Sequence, residues 1–227
     1  MPLFVKPNRK ISVQDVKNAM RDHYEGTPLD ISKDFGAGPY HTPYRLSPLS
    51  FKVGDKEYFN ERPISTQQSG FVFVAQMRST LPDAIGGVLW FGTDDANMTV
   101  FTPVYCCTDK VPVCYSRVDG ADYITFSWNS SFWIFNWVSN MVYPRYDLMI
   151  GDVRATQNEL ETTFNEAQEG IESAAAKLLE KDPAKAKAFL TNYTNMTAQS
   201  AFDTWKRLGE FIIVKYNDGV AVSYTHL

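Results

Sequence analysis

Two apolar runs between residues 70 and 92 most constrain the fold of this chain. Successive residues of an extended segment point to opposite faces. Phe71, Phe73, Ala75 and Met77 therefore point one way, and the other face carries Val72, Val74, Gln76 and Arg78. From Ile85 to Phe91 both faces are apolar, which is typical of a strand inside a layered core. The region therefore predicts two neighbouring strands of one buried sheet.

Polar and charged side chains stand at the ends of these two predicted strands. Gln76 and Arg78 end the first strand, Asp94 and Asp95 follow the second, and Arg62 lies in the turn before the first. A guanidinium can hold a carboxylate through two parallel hydrogen bonds, although surface ion pairs or loop carbonyls are the alternative partners for both arginines. Adjacent residues on a strand point to opposite faces, so the two aspartates favour a turn over a shared metal ion.

The remaining patterns predict one helix before these strands, two strands after them, and then helices only. A capping box at Ser12 and Asp15 begins the first helix, which runs to about Asp22. The other elements are strands at Thr99 to Tyr105 and Tyr123 to Trp128, and helices around Phe132, Phe135 and Val138, from about Tyr146 to Lys181, and around Phe202, Trp205, Leu208 and Ile212. Strands first and helices last predict an α+β layered fold with a helical C-terminal section, in a single domain over residues 1–227.

Composition and charge exclude several classes of protein. The chain is 44% hydrophobic and 14% aromatic, which is unlike a disordered chain. Its formal net charge of −4, without a basic stripe, argues against a nucleic-acid partner. The most apolar segment, Phe132 to Val142, is too short to cross a bilayer, so no membrane span is expected.

The three cysteines lie close together in the sequence, at Cys106, Cys107 and Cys114. They are expected either to be small buried residues on a strand, or to include a Cys107–Cys114 disulfide in an oxidising compartment. Zinc is disfavoured, because two adjacent cysteines and one distant cysteine do not form paired chelating arms.

No side chain stands out as a nucleophile with a base beside it. The histidines, His23, His41 and His226, lack the spacing of a known catalytic pair, and His23 is expected to cap a helix end. Ser65 and Thr66 have no base nearby in the sequence.

Six long segments resemble the C-terminal part of the cysteine dipeptidases (dipeptidase A-like) of the N-terminal-nucleophile hydrolase superfamily. They are MPLFVKPNRKISVQDVKNAMRDHYEGTPLD, GAGPYHTPYR, NERPISTQQSGFVFVAQMR, IGGVLWFGTDDANMTVFTPVY, FSWNSSFWIFNWVSNMVYPRYD and FDTWKRLGEFIIVKYNDG. The resemblance covers nearly the whole chain, up to about Gly219.

The resemblance implies a four-layer αββα sandwich and a cysteine nucleophile at the first residue of the mature enzyme. Its thiol attacks the amide carbonyl while its own α-amine handles the proton, so no distant histidine is needed. This cysteine is expected upstream of Met1, which makes the chain the C-terminal portion of a longer dipeptidase, inactive by itself. Residues 222–227, VSYTHL, depart from the family pattern and are expected to be a non-native tail.

The resemblance also implies site residues. Arg62, in NERPIST, is the expected active-site arginine, which orients either the nucleophile region or the substrate carboxylate. Asn60, Gln76 and Arg78 are weaker candidates for the polar lining of the substrate site.

The expected function is therefore hydrolysis of dipeptides or short peptides, without a metal or other cofactor. One alternative is cleavage of non-peptide acyl amides, and another is a non-catalytic binding protein that uses the aromatic loop from Tyr40 to Phe51. Exposed strand edges favour a homo-oligomer. Export signals in family members are consistent with a secreted or periplasmic location.

Overall fold

The computed structural model of the chain describes residues 3–45, 50–59 and 62–219. In chain order, these ranges form α1 (Val13–Met20), β1 (Ser50–Val53), β2 (Lys56–Phe59), β3 (Phe71–Met77), α2 (Asp83–Gly86), β4 (Gly87–Thr93), β5 (Thr102–Tyr105), α3 (Ser131–Val142), α4 (Tyr146–Leu179) and α5 (Pro183–Lys215). The mixture confirms an α+β fold.

The first helix begins at the capping box that the sequence predicts. The Ser12 hydroxyl accepts the backbone N–H of Asp15 at 3.1 Å, and the Asp15 carboxylate accepts the backbone N–H of Ser12 at 2.8 Å. Two of the otherwise unpaired N–H groups of the first turn are thus satisfied. The helix ends at Met20, close to the predicted position.

A three-stranded antiparallel sheet in the order β3–β4–β5 carries the candidate region. Val74 pairs with Trp90 and Phe73 pairs with Phe91. Val72 and Val74 are buried whereas Phe71, Phe73 and Met77 are exposed, so the predicted assignment of residues to two faces of β3 is confirmed. One face of the sheet, with Val74 and Trp90, is buried in the main hydrophobic core. The hairpin of β1 and β2 forms a separate two-stranded sheet.

The opposite face of this sheet is apolar and open to solvent. Phe71, Phe73 and Met77 are 61%, 50% and 64% exposed, respectively. Only part of this face is covered, where the Tyr115 ring packs edge-on against Phe91 at 5.1 Å between ring centroids. We call this surface, formed by Phe71, Phe73, Met77 and Phe91, the open face.

The predicted strand from Tyr123 to Trp128 is wrong, because this segment is an irregular loop. The Asp122 carboxylate accepts the backbone N–H groups of Ile124 and Thr125 at 3.1 and 2.8 Å. Such local side-chain bonds compete with the hydrogen bonds of a sheet. The aromatic composition that suggested a strand instead supplies packing, with the Phe126 and Trp128 rings 4.8 Å apart.

The three long helices confirm the helical C-terminal section. Helix α5 begins at Pro183, well before the apolar positions that predicted it, and the Asp182 carboxylate caps its first turn. Proline in the first turn lacks an N–H that would be unpaired there in any case. Inside the core, the Trp205 ring of α5 stacks on Phe135 of α3 at 4.8 Å. The helices therefore cover the buried face of the sheet.

The three cysteines are free thiols in different environments. Cys114 is buried, and burial raises its pKa to about 12. Cys107 is partly buried, which also raises its pKa, and Cys106 is exposed. The expected set of buried cysteines on a strand is therefore wrong, since only Cys114 is buried and it lies in a short 3₁₀ turn, while Cys106 is exposed beyond the end of β5. The alternative Cys107–Cys114 disulfide is not formed in this structure.

Candidate functional site

The start of β3 and the end of β4 lie at the same end of the sheet, because the two strands are antiparallel. Asp94, directly after β4, donates its backbone N–H to the carbonyl of Gly70, directly before β3, at 3.0 Å. The segment from residue 62 to residue 70 therefore lies beside the turn that follows β4. We call this end of the sheet the Arg62 edge, and the segment from Arg62 to Ser65 the Arg62 turn.

The Arg62 turn presents an exposed arginine on a backbone that is anchored in the interior. Arg62 is exposed, whereas Pro63 is buried and Ser65 is only 1% exposed. The Ser65 N–H donates to the carbonyl of Asp22 at 3.1 Å, and the Tyr24 hydroxyl lies 3.5 Å from the carbonyl of Arg62. The turn is thereby attached to the loop that follows α1.

Ser65 and Asp95 form a buried pair beneath the Arg62 turn. The Ser65 hydroxyl donates to Asp95 Oδ1 and accepts the backbone N–H of Asn97 at 3.0 Å. The same Asp95 oxygen also accepts that N–H at 3.2 Å, so it caps the short 3₁₀ turn after β4. The turn predicted at the two aspartates is confirmed, but both carboxyl groups are buried rather than solvated.

The carboxyl group of Asp94 is also buried, but its partner is a serine of α3 rather than Ser65. Its backbone is in the left-handed region (φ +73°), and its side chain accepts a hydrogen bond from the Ser139 hydroxyl of α3. Burial raises its pKa to about 8, against the Ser139 hydrogen bond, and the neighbouring Asp95 charge adds to the increase. Asp94 is therefore mainly protonated at neutral pH, and its contacts tie the end of β4 to α3.

Asn97 joins this turn to surrounding aromatic and basic side chains. Its amide nitrogen donates to the hydroxyl oxygens of Tyr44 and Tyr146 at 2.7 and 2.9 Å. Its amide oxygen accepts from the Arg154 guanidinium, and its carbonyl lies 3.3 Å from Gln157 Nε2. The turn after β4 is thus fixed from two sides of the fold.

A buried ion pair between Arg21 and Glu161 fixes the backbone on either side of Asn97. Arg21 binds Glu161 through two contacts of 2.5 and 3.1 Å, and both side chains are almost fully buried. Arg21 also donates to the carbonyls of Ala96 and Thr99 at 2.9 and 3.1 Å. Arg21 therefore connects the end of α1 to helix α4 and to the turn that contains Asn97.

His23 is not the helix cap that the sequence predicts. It lies beyond the end of α1, is fully buried, and its Nδ1 contacts the Glu25 carboxylate at 3.0 Å. Burial opposes ionisation of Glu25, but hydrogen bonds from the His23 ring and backbone lower its pKa to about 2. The ring of His23 packs edge-on against Tyr44 at 5.0 Å. His23 thus helps to fix the loop against which the Arg62 turn rests.

Gln76 and Arg78 lie at the other end of β3, away from Arg62. The strand has seven residues, so the two ends are separated by roughly 20 Å at about 3.4 Å per residue. Arg78 forms contacts of 2.7 and 2.6 Å with Glu172 of α4, and Gln76 accepts from Trp90 Nε1 at 3.1 Å. Because β3 and β4 are antiparallel, the polar residues that end β3 and those that follow β4 lie at opposite ends of the sheet and do not form one site.

The proposed role of Arg62 stays a prediction, and Asn60 lies outside the described residues. The groups that fix the Arg62 edge were not predicted from the sequence. For the groups on α4 the sequence did contain a signal, because a long polar helix places three of them on one face: Arg154, Gln157 and Glu161. The partners of that face were not visible, because they are far away in the sequence.

Residues 3–45, 50–59 and 62–219 contain neither a metal-ligand cluster nor a helix suited to span a membrane. No group of three or more His, Cys, Asp or Glu residues there is arranged to hold a metal ion. Within the same ranges, none of the helices is both long and apolar enough to cross a membrane.

The family is established by sequence comparison. Residues 1–159, more than two thirds of the chain, match peptidase family C69, and the chain belongs to that family. This result confirms the resemblance to dipeptidases.

Individual relatives agree with this assignment. The chain is 27% identical over 223 residues to a probable dipeptidase B of Lactococcus lactis subsp. lactis (strain IL1403), covering 94% of this chain and 40% of the relative. It is 34% identical over 104 residues to a probable dipeptidase of Salmonella dublin, covering 46% of this chain and 19% of the relative. It is 27% identical over 133 residues to dipeptidase A of Lactobacillus helveticus, covering 59% of this chain and 23% of the relative. The chain thus spans less than half the length of these relatives.

Proposed function

We propose that the protein containing this chain hydrolyses dipeptides, with a catalytic cysteine at the N-terminus of the mature enzyme, upstream of residue 1. The observation that carries this proposal is the match to peptidase family C69 together with dipeptidase relatives more than twice as long. In this proposal, the 227-residue chain supplies part of the substrate side and is inactive by itself.

The cysteines of the chain support a nucleophile elsewhere. Cys106 and Cys107 follow β5, at the end of the sheet opposite the Arg62 edge. Cys114 is buried and its pKa is raised to about 12, so it is a thiol rather than a thiolate at neutral pH. All three have their nitrogen in a peptide bond, which is not basic, whereas an N-terminal cysteine has a free amine.

The open face supports a second sheet in the complete enzyme. Phe71, Phe73 and Met77 are each at least half exposed, and contiguous apolar surface of this kind usually marks an interface. In the described residues, side chains of α3 and α5 belong to the same core as the buried face of the sheet. A second β-sheet packed on the open face would complete the αββα sandwich, with side chains of the two sheets interdigitating.

The proposed chemistry is acyl transfer to the cysteine. The thiol attacks the peptide carbonyl and forms a thioester, while its α-amine accepts the thiol proton and delivers it to the leaving amine. Water then hydrolyses the thioester and releases the acid. Arg62 is the proposed arginine of the site, held at the end of the sheet on an anchored turn, where it orients the nucleophile region or binds the substrate carboxylate.

The test uses the full-length enzyme and the variants Arg62→Ala and Arg62→Lys. Arg62→Ala is expected to lower kcat/KM by about 100-fold without unfolding the protein, since misplacing a reacting group by 1 Å costs about this much. A dipeptide and its C-terminal amide separate the two roles of Arg62. If it binds the substrate carboxylate, the wild-type preference for the free acid disappears in Arg62→Ala.

Three results would contradict the proposal. Wild-type kinetics in Arg62→Ala would remove this residue from the site. Rapid dipeptide hydrolysis by the isolated 227-residue chain would contradict an upstream nucleophile. Preferential cleavage of acyl amides over dipeptides, in a parallel panel, would replace the proposed substrate class.

A further inference from the structure

The side chain of Ser65 anchors the Arg62 turn in the interior of the protein. Ser65 follows Arg62 by three residues and is 1% exposed, whereas Arg62 is exposed. Between them, Pro63 is buried, and its ring fixes one of the backbone torsions that separate the buried anchor from the exposed arginine. A displacement of Ser65 is therefore transmitted to Arg62.

Both hydrogen-bonding capacities of the Ser65 hydroxyl are used. The hydroxyl donates to Asp95 and accepts the N–H of Asn97 at 3.0 Å. A serine hydroxyl has one proton and two lone pairs, so it can connect a carboxylate acceptor to a backbone donor. The Ser65 N–H adds a third bond, to the carbonyl of Asp22 at 3.1 Å.

The partners of Ser65 are themselves fixed. Asp95 is fully buried and also lies 3.5 Å from the Tyr143 hydroxyl. Asn97 is fully buried and bonded to Tyr44 and Tyr146. Ser65 therefore joins the Arg62 turn to a part of the fold that has little freedom to move.

We propose that Ser65 and Asp95 form a latch that positions Arg62 for catalysis. Ser65 is a positioning residue in this scheme, since its side chain is buried and bonded to Asp95 and Asn97, and it acts through Arg62. The inference rests on the proposed function, and it assigns to two buried residues a role in the activity of an exposed one.

A second buried pair provides a matched control. Ser139 donates to Asp94 as Ser65 donates to Asp95, and both serines are almost fully buried. Ser139 lies on α3 and is not part of the Arg62 turn. Replacing either serine by alanine removes the same chemical group from the same pair of adjacent aspartates.

The experiment is a double-mutant cycle in the full-length enzyme, with kcat and KM measured for Ser65→Ala, Arg62→Ala and the double variant. Ser65→Ala is expected to lower kcat/KM by about 10- to 100-fold at equal folded fraction, because small misplacements of a positioned group are costly. The kcat/KM of the double variant is expected to equal that of Arg62→Ala alone, since the Ser65–Asp95 pair has no effect once the Arg62 side chain is absent. Ser139→Ala is expected to keep wild-type kinetics.

The outcomes separate the latch from the proposed function. If Arg62→Ala is impaired but Ser65→Ala is not, or if the two effects multiply in the double variant, the latch is overturned and the function stands. Equal losses in Ser65→Ala and Ser139→Ala also overturn it. A fully active Arg62→Ala overturns the latch and removes Arg62 from the site, but leaves the proposed dipeptide hydrolysis standing. A wild-type enzyme without dipeptidase activity overturns both proposals.

If Ser65→Ala does not fold, Asp95→Asn gives the same test. An amide oxygen still accepts from Ser65 but more weakly than a carboxylate, so a smaller loss of kcat/KM is expected. This loss should also disappear in the Arg62→Ala background, and its persistence there would overturn the latch.

Discussion

The pH dependence of stability at Asp94 is a direct consequence of its burial. The variant Asp94→Asn removes the ionisable group and keeps the shape of the side chain, including an oxygen that can accept from Ser139. Asparagine also tolerates the left-handed backbone that Asp94 adopts at φ +73°. The substitution therefore isolates the titration of one carboxyl group.

The sign of the effect follows from the raised pKa. The folded-state pKa of Asp94 is about 8, against an ordinary value of 3.8. Between these two values the unfolded chain has released this proton while the folded chain keeps it, so the wild-type free energy of unfolding falls as the pH rises. The slope from this one group is about 1.4 kcal/mol per pH unit.

The expected magnitude is large enough to measure. From about pH 5 to about pH 7, the wild-type chain should lose up to about 2.7 kcal/mol of stability relative to Asp94→Asn. Above the folded-state pKa the difference between the two proteins should become constant. At neutral pH the variant is therefore expected to be the more stable protein.

Urea unfolding followed by tryptophan fluorescence measures this difference at several pH values. Asp122→Asn is a control of opposite sign, because backbone N–H groups of Ile124 and Thr125 lower the pKa of Asp122. Its replacement should cost stability at neutral pH, and the cost should shrink in acid. Parallel pH profiles for the wild-type chain and Asp94→Asn would refute the assignment of a protonated Asp94.

Three further substitutions test the packing of the helices and the buried ion pair between Arg21 and Glu161. Gly209→Ala places a new carbon 2.3 Å from the Trp137 ring and should cost about 1–3 kcal/mol in urea unfolding. Gly170→Ala, where no atom lies within 4 Å, should instead stabilise the chain by about 0.5–1 kcal/mol; equal effects would contradict the close packing. Glu161→Gln leaves Arg21 without its buried charge partner and should cost about 3 kcal/mol. A thermal midpoint within error of wild type would show that this ion pair is not needed.

Local patterns in the sequence predicted much of the fold. The capping box at Ser12, the two faces of the strand from Phe71 to Met77 and the end of the long helix near Lys181 all appear in the structure near their expected positions. Each depends on residues a few positions apart, so spacing and intrinsic preference are sufficient to specify it. The loop from Tyr123 to Trp128 shows the limit, because one aspartate bonding to nearby N–H groups overrode a β-like composition.

The candidate site was predictable only in part. The resemblance pointed to Arg62, and the structure puts it on an anchored turn at an edge of the sheet. The sequence alone did not separate Arg62 from Arg78, which lies at the opposite end of β3 and is bound to Glu172, 94 residues away. That distinction depends on the antiparallel pairing of β3 and β4.

By itself, the sequence determined the family, the α+β class and the positions of most helices and strands. Tertiary structure alone decided which polar groups meet: Ser65 with Asp95, Arg21 with Glu161, and Asp94 with Ser139. These partners are 30, 140 and 45 residues apart. Periodicity reports which face of an element is buried, but the identity of a distant partner, and the pKa that burial produces, depend on how the whole chain packs.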